Sequence, residues 1–470
     1  MADAAPPARL SEEEVERVLS TPKADCRAAL RDLVYYVQQA RESGDDDDID
    51  AEEFVRLVVD EGVRCVDVRS PGEFSKGRVL GASSCPLFDD EERALVGTCF
   101  KRQGREAAMI LGMARILRRH GGLDALAEDS LRGQRTICVH CWRGGFRSGS
   151  VAWLLRRRGA KVYCLKGGYK AFRGWVRSRW GESPPTKPPA DARKAAAALA
   201  DAIPRWPPPA EARQPRIVIV GGRTGVGKTR VLHALAQRGA QVLDLEGVAV
   251  HRGSSFGWKA EQPSNEAFEN TLALKWRAFS TDAPVFVEDE EGHVGACLVP
   301  PALYSRMAAA KLVVRVNSPI EARVGVLLDE YAHDAAVDEL AFRKRIEDAT
   351  RRLLRRLGAD RVSEIVGHVH DGRYADVARL LLSYYDKLYD AHLAKRDGMD
   401  ATVVDVFVVG DVLDADATAS AVLAEVARFY DPGTAGGALR RDDGGPRRPR
   451  LHLLLALALA AALALRLLRR

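Results

Sequence analysis

Apart from Cys138 and Cys141, the 470-residue chain has no second CxxC, and it has no HxxxH pair. It therefore lacks the donor spacing of a structural zinc site, and no zinc is expected. Its eight cysteines are scattered, not spaced as a disulfide framework. The N-terminus, MADAAPPARLSEEEVE, lacks both the apolar core of a secretory signal and an Arg-rich transit pattern. Together these absences point to a reducing compartment, the cytoplasm first of all. No internal repeat is present. The net charge of +6 points to no partner either, because eight Arg set against Asp442 and Asp443 in residues 433–470 account for all of it.

Local charge says more. Residues 130–180 contain no Asp or Glu but 13 Lys or Arg, interleaved with Trp142, Phe146, Trp153, Tyr163, Tyr169, Phe172, Trp175 and Trp180. A basic stretch with aromatics suits a polyanion with stackable bases, so RNA contact is expected here, with Arg156 and Lys170 as representative cations. A core role suits part of the aromatic set equally well, and a small-anion site accounts for part of the charge. Should RNA bind elsewhere, the helical region around Arg343 to Arg356 is next in line. At the other extreme, residues 451–465 are almost pure Leu and Ala, broken by His452 and flanked by RRPR and RLLRR. The run is short for a hydrocarbon core of about 30 Å, which wants ~20 helical residues. It reads either as a tail anchor extended by snorkelling arginines, giving membrane contact, or as a dispensable end.

The pattern in between is α/β. An N-terminal extension spans 1–50, with Ser11 and Glu14 as a capping box. GDDDDIDAEEF lacks the glycine and first ligands of an EF-hand loop, so Asp50 is read as a helix cap with Glu53 three residues on. From 51 to 180, short β-rich runs (RCVDVR, TICVHC, VYCLKGG) alternate with helices such as SVAWLLRRRG, which predicts a parallel sheet. Residues 181–215 hold nine of the 22 prolines and form a semi-rigid linker. A second α/β unit, 216–432, runs through RIVIVGG, QVLDLEG, APVFVEDE and KLVVRVN and turns helical beyond about 335. Residues 433–470 are a basic linker and the apolar tail.

Two loops carry chemistry. His140-Cys141-Trp142-Arg143-Gly144-Gly145-Phe146-Arg147-Ser148 joins a strand to a helix. A cysteine at such a turn faces backbone N–H groups and the positive helix end, and Arg143 and Arg147 add fixed charge. That environment lowers a thiol pKa and cradles an anion, as a sulfur or selenium carrier requires. Cys138 lies inside the strand, as a small hydrophobe. The second loop, Gly222-Arg223-Thr224-Gly225-Val226-Gly227-Lys228-Thr229, matches GxxxxGK[ST] between a strand and a helix. Its amides cradle phosphates, Lys228 neutralises them, and Thr229 is placed to hold Mg²⁺. At the end of a later apolar strand, Asp289 is the expected outer Mg²⁺ partner, with Glu288 close behind. Which phosphate compound binds is left open.

The cysteine loop, with the upstream Asp67-Val68-Arg69-Ser70-Pro71-Gly72-Glu73-Phe74, resembles the rhodanese family, in which Asp67 and Arg69 would brace the loop. Rhodanese followed by a P-loop domain is an uncommon order. The segments GTCFKRQG (97–104), KGGYKAFR (166–173), DLEG (244–247), HRGSSFG (251–257), FEN (268–270) and YYDKLY (384–389) are similar to those of the tRNA 2-selenouridine synthases. That resemblance runs in order from about 51 to 430. It implies a rhodanese-like parallel-sheet domain, then a P-loop α/β domain with a C-terminal helical region. It also implies a transferase that replaces the sulfur of wobble 2-thiouridine in tRNA with selenium from selenophosphate, through an S-geranylated intermediate made from geranyl diphosphate. Cys141 falls on the family's essential cysteine, with Cys99 as a second thiol nearby. The P-loop becomes a site for diphosphate or nucleotide, and His251 and Arg252 become candidates for phosphate or RNA. Gly292 stands where the family has an arginine. The competing readings are a plain sulfurtransferase with an appended NTPase domain, and a non-catalytic RNA-binding protein.

Overall fold

The computed structural model describes residues 48–180, 214–252, 261–396, 401–408 and 413–430. The Ser11 capping box, the proline-rich linker and the apolar run 451–465 lie outside the described residues. Among the described residues, no helix is long and apolar enough to cross a membrane. The chain up to Leu423 forms one unit by contact, and the rest forms a second.

Two five-stranded parallel sheets organise the first unit. The N-terminal sheet has the order β1 (Asp48–Ile49), β5 (Lys161–Leu165), β4 (Thr136–His140), β2 (Cys65–Asp67), β3 (Ala82–Ser84). The second has the order β12 (Thr402–Phe407), β11 (Leu312–Asn317), β6 (Ile217–Gly221), β8 (Val285–Glu288), β7 (Gln241–Leu243). A hairpin of β9 (His293–Val294) and β10 (Cys297–Leu298) stands apart. All five residues of β6 are buried, as expected of an apolar run covered by helices on both faces. Each reactive loop leaves the C-terminal end of a central strand, Cys141 after β4 and the phosphate loop after β6. At that edge the neighbouring connections diverge and leave a crevice.

In the first half the helices are α1 (Ala51–Val55), α2 (Pro71–Lys76), α3 (Asp90–Gln103), α4 (Arg105–His120), α5 (Leu123–Leu131), α6 (Phe146–Arg157) and α7 (Gly168–Arg179). Asp50 caps α1, its Oδ1 accepting from the Glu53 amide at 2.9 Å. The second half contains α8 (Lys228–Gln237), α9 (Leu245–Ala249), α10 (Asn265–Arg277), α11 (Pro301–Ala308), α12 (Ile320–Val337), α13 (Glu339–Arg352), α14 (Leu354–Leu357), α15 (Ala359–His370), α16 (Tyr374–Arg396) and α17 (Ala415–Tyr430). The helical C-terminal region has one departure from expectation. After α16 the chain returns as β12 and extends the second sheet, pairing with β11 over six positions. Its short TVVDVF run sits among helical segments, where periodicity over so few residues decides little.

The two halves share a core. Tyr169, Phe172, Trp175 and Trp180 lie in one apolar cluster with Phe268, Leu272 and Trp276. Around it, α7 meets α10 through polar bonds. The Tyr169 hydroxyl donates to Glu266 Oε1 and accepts from Asn270 Nδ2, both at 2.8 Å. Arg173 pairs with Glu269 and donates to Asn270 Oδ1. Glu52 accepts from Trp175 Nε1 at 2.8 Å, and Arg277 reaches Asp60 at 3.0 Å. The KGGYKAFR and FEN segments are thus the seam between the halves.

This assigns five of the eight aromatics of 130–180 to the core and leaves Trp142, Phe146 and Tyr163 half-exposed. Tyr169, Phe172 and Trp180 are at most 1% exposed, and Trp153 and Trp175 are buried as well. They fill the core, because an amphipathic helix points its large apolar groups inward whatever the charge of its outer face. Arg156 is tied down too, donating to the Val162 carbonyl at 2.7 Å. Lys170 stays exposed.

The closest approach in the first half joins two glycine turns. Gly144 and Gly168 both have positive φ, and a Cβ on Gly168 would lie 2.3 Å from the Gly144 amide nitrogen and 2.5 Å from the Cys141 carbonyl oxygen. Gly168→Ala should therefore destabilise the protein by ~2 kcal/mol or more, read as a fall in denaturation midpoint. Gly174→Ala, on the same helix with nothing within 4 Å of its would-be Cβ, should be neutral or slightly stabilising. Equal effects at the two sites would contradict the interlock.

Candidate active site

The Cys141 loop is held from three sides. From α7, the Tyr169 and Lys170 amides donate to the Cys141 and Trp142 carbonyls at 2.8 and 2.9 Å. Just past β2, the Val68 amide donates to the His140 carbonyl at 3.1 Å. The third support is indirect. Asp67 and Arg69, both fully buried, form a forked ion pair, and Arg69 also donates to the Gly77 carbonyl at 2.7 Å. The Arg69 guanidinium lies over the Tyr169 ring, 3.7 Å from its centroid. The DVR motif thus braces the cysteine loop through Tyr169.

Cys141 Sγ accepts from the Ser148 hydroxyl at 3.2 Å and the Gly145 amide at 3.4 Å. Burial pushes this thiol up, but the Arg147 charge and the Ser148 and Gly145 hydrogen bonds outweigh it, leaving the pKa below the ordinary cysteine value. Cys138, three residues earlier, has no such compensation, and burial with the charges of Glu53 and Glu61 pushes it up to about 12. Arg147 is itself fixed by Glu73, whose Oε2 accepts at 3.0 Å. Burial raises the Glu73 pKa, but the bond and charge of Arg147 overcome this and keep it an anion. Arg143 is exposed at the loop.

Above the thiol is a cavity of about 900 Å³, walled by α3 and α4 on one side and the cysteine loop on the other. Phe88, Val96, Met109 and Met113 supply apolar wall, while Arg93, Lys101, Arg105 and Arg143 supply cations. Gly97, Thr98, Phe100 and Lys101 of GTCFKRQG line it, and Phe100 is 57% exposed. Cys99 of the same segment is not among the lining residues. It turns away into a small cluster with Ala108 and Leu111, where burial raises its pKa. The last turns of α3 therefore present Phe100 and Lys101, not Cys99, to the cavity above the reactive thiol.

At the phosphate loop, Gly222, Gly225 and Gly227 all have positive φ, the backbone that a nest of inward amides requires. Lys228 Nζ donates to the Gly222 carbonyl at 3.2 Å, and Thr229 Oγ1 donates to Glu246 Oε2 at 3.0 Å. A cavity of about 450 Å³ is lined by these residues and by Arg252, Glu246, Asp289, Glu290, Tyr385 and Tyr389. Asp289 is where the sequence expectation puts it. Glu288 is not a lining residue. It is fully buried, Oε2 accepts from the Leu245 amide at 2.8 Å, and burial with Asp244 and Glu246 pushes its pKa well up. It braces the DLEG turn. His251 is buried and absent from the lining, whereas Arg252 is present. Among the described residues no group of three His, Cys, Asp or Glu is arranged to hold a metal ion.

Glu290, next to Asp289 in the same acidic run, also lines the cavity, and burial, then the charge of Glu246, raises it to about 8. Sequence reasoning missed other members. Arg323, 3% exposed, links the YYD element to the loop, donating to Asp386 at 2.5 and 2.9 Å and to the Thr224 carbonyl at 2.8 Å. The only advance signal for Glu246, Tyr385 and Asp386 was membership in the DLEG and YYDKLY segments. Nothing marked Arg323.

Alkylation kinetics check the thiol assignment. Cys141 should react with iodoacetamide with a midpoint below that of an ordinary thiol, and Arg147→Met should move that midpoint upward while Cys138 stays inert. An unshifted midpoint in Arg147→Met would refute the electrostatic account.

The comparisons agree with this arrangement. A rhodanese-like domain model matches residues 50–174, and a model described as tRNA 2-selenouridine synthase AAA domain matches 215–415. Curated proteins named tRNA 2-selenouridine synthase are similar over most of their length. The one from Marinobacter nauticus is 30% identical across 74% of this chain and 93% of its own. Those from Shewanella loihica and Bordetella petrii are 33% and 34% identical, covering 74% and 70% of this chain and 91% and 86% of theirs. With both domain models in order and matches of this extent, the chain belongs to the tRNA 2-selenouridine synthase family.

Proposed function

We propose that this protein replaces the sulfur of a wobble 2-thiouridine in tRNA with selenium from selenophosphate, with the Cys141 thiolate as the nucleophile that releases the selenium. The single observation that carries the reading is a buried cysteine held toward the thiolate by Arg147, Ser148 and Gly145 at the base of a cation-rimmed cavity. An S-geranylated thiouridine, made from geranyl diphosphate, is the intermediate. The Cys141 thiolate attacks phosphorus, an S–P bond forming as the P–Se bond breaks and selenide leaves. Selenide then attacks C2, the C2–Se bond forming as the C2–S bond breaks and sulfur leaves as the geranylated thiol. Water hydrolyses the S-phosphocysteine to phosphate, so selenium stays at one oxidation level throughout. Arg143 and Arg147 face the anionic selenium donor. A plain sulfurtransferase has no need of so large a cavity, and an RNA-binding protein has no need of an activated thiol.

The phosphate loop serves as the second site. Its oxygen donors, the Thr229 hydroxyl and the Asp289 and Glu290 carboxyl groups, suit a hard cation such as Mg²⁺, which keeps several waters and takes few protein ligands. The raised pKa of Glu290 supports this, because a cation between crowded carboxyl groups relieves their repulsion. Thr229 and Asp289 would hold the ion, which would neutralise phosphate charge there. The protein works in a reducing compartment, where its buried thiols stay free.

The test is direct. The full chain is incubated with thiolated tRNA, selenophosphate and geranyl diphosphate, and the nucleosides are analysed by mass. Selenouridine from the wild type, none from Cys141→Ser and full yield from Cys138→Ser are expected. Thiosulfate activity without selenouridine would replace this reading with the sulfurtransferase. Lys228→Ala should leave the protein folded and lower its affinity for phosphate ligands at least about tenfold in calorimetry.

RNA contact belongs at the mouth of the cavity above Cys141. Lys101→Glu and Arg105→Glu should each weaken tRNA binding and lower the slope of log affinity against log salt by roughly one ion. Arg156→Glu should act on stability instead. An unchanged slope in the first two variants, and in Lys170→Glu, would move the tRNA surface elsewhere, with the helical region around Arg343 to Arg356 next to test.

A further inference from the structure

Cys141 is only 3% exposed, so whatever reacts beside it has to enter the cavity of about 900 Å³ above it. Substitution at C2 of a pyrimidine makes a further demand. The nucleophile reaches C2 from above the plane of the ring, and in a stacked loop neighbouring bases cover both faces. The base must therefore leave the stack and lie in the cavity with one face turned to the cysteine loop, at the cost of its stacking energy. Its other face then meets the wall made by α3 and α4.

That wall carries a shelf for a flat ring. Arg93, Gly97, Phe100 and Lys101 follow one another at helical spacing on α3, and all four line the cavity. One turn before Phe100, a Cβ on Gly97 would meet nothing within 4 Å, so the backbone there lies open to the cavity. Glycine inside a helix is unfavourable relative to alanine, and no close contact within the protein requires it at this position. Single exposed apolar side chains are common and carry no message by themselves. Phe100 differs by its place. Of the large apolar side chains exposed among the described residues, it alone lines the cavity of the reactive thiol. Beside it Lys101, Arg102 and Arg105 are exposed, and none has a carboxylate partner among the described residues. An exposed ring next to uncommitted cations suits single-stranded nucleic acid, which offers bases to the one and phosphates to the other.

We infer that Phe100 stacks on the face of the unstacked target base that is turned away from Cys141, and so presents C2 to the incoming nucleophile. This rests on the reading that the reaction takes place at C2 of a tRNA base, and it names the side chain that holds that base. The role needs a flat aromatic face. Leucine would keep the wall apolar but offers no such surface to the ring of the base.

Binding of an anticodon stem-loop RNA to the full-length protein tests this. One RNA carries 2-thiouridine at its wobble position, and a second carries an abasic sugar there. On the thiouridine RNA, Phe100→Leu should weaken binding about tenfold, whereas Phe100→Trp should bind at least as tightly as the wild type. On the abasic RNA the wild type and both variants should bind alike. Phe100→Leu should also keep the wild-type slope of log affinity against log salt, because stacking releases no counterion. Phe100→Leu binding the thiouridine RNA as tightly as the wild type, or losing as much on the abasic RNA, would overturn the inference. The two readings remain separable. A tRNA substrate requires only that the wild type bind this RNA, whereas the inference requires that binding depend on both the base and the ring.

Discussion

Tyr169 is the residue on which the arrangement turns. Its amide holds the Cys141 carbonyl, its ring lies under the Arg69 guanidinium, and its hydroxyl bonds Glu266 and Asn270 across the seam. A desolvated cation over an aromatic face is worth about 2 kcal/mol or more, and a buried ion pair that loses one partner costs roughly 3–5 kcal/mol. Tyr169 and the Gly77 carbonyl therefore help to offset the cost of burying the Asp67–Arg69 pair. In return the pair fixes a ring that fixes a loop. Reactive thiol, structural ion pair and domain seam form one connected object.

The chemistry at the thiol follows from competition between desolvation and compensation. Cys138 lies inside β4 and Cys141 just past its end, and both are buried, yet their pKa values move in opposite directions. Only Cys141 stands where the chain turns, so that an amide, a hydroxyl and an arginine converge on sulfur. The same rule separates the acids near the phosphate loop. Glu288, one residue inside the strand, is spent on a backbone amide, while Asp289, one residue further, reaches the cavity.

Much of this was legible in the sequence. RIVIVGG and TICVHC announced central strands by continuous apolar runs, and their glycine-rich sequels announced anion-binding turns. Asp50 and Glu53 gave a cap that the structure contains. Other features were hidden because sequence distance conceals them. The aromatics of 130–180 read equally as stacking platform or core, and only the packing of α7 on α10 decides for core at Tyr169, Phe172 and Trp175. Arg323 is silent until α12 and α16 are brought together. Cys99 sits in a motif next to the reactive loop, but its helix turns it away and presents Phe100 and Lys101 instead. β12 was lost among helices because six residues carry little periodicity.

The central claim is that the Cys141 thiolate frees selenium from selenophosphate. Peptide mass spectrometry of the full chain, quenched shortly after mixing with selenophosphate, tests it most directly. A phosphoryl group should appear on the peptide containing Cys141, with selenide released alongside it. A phosphoryl group on Cys99 or Cys138, or selenide release by Cys141→Ser at the wild-type rate, would contradict the account.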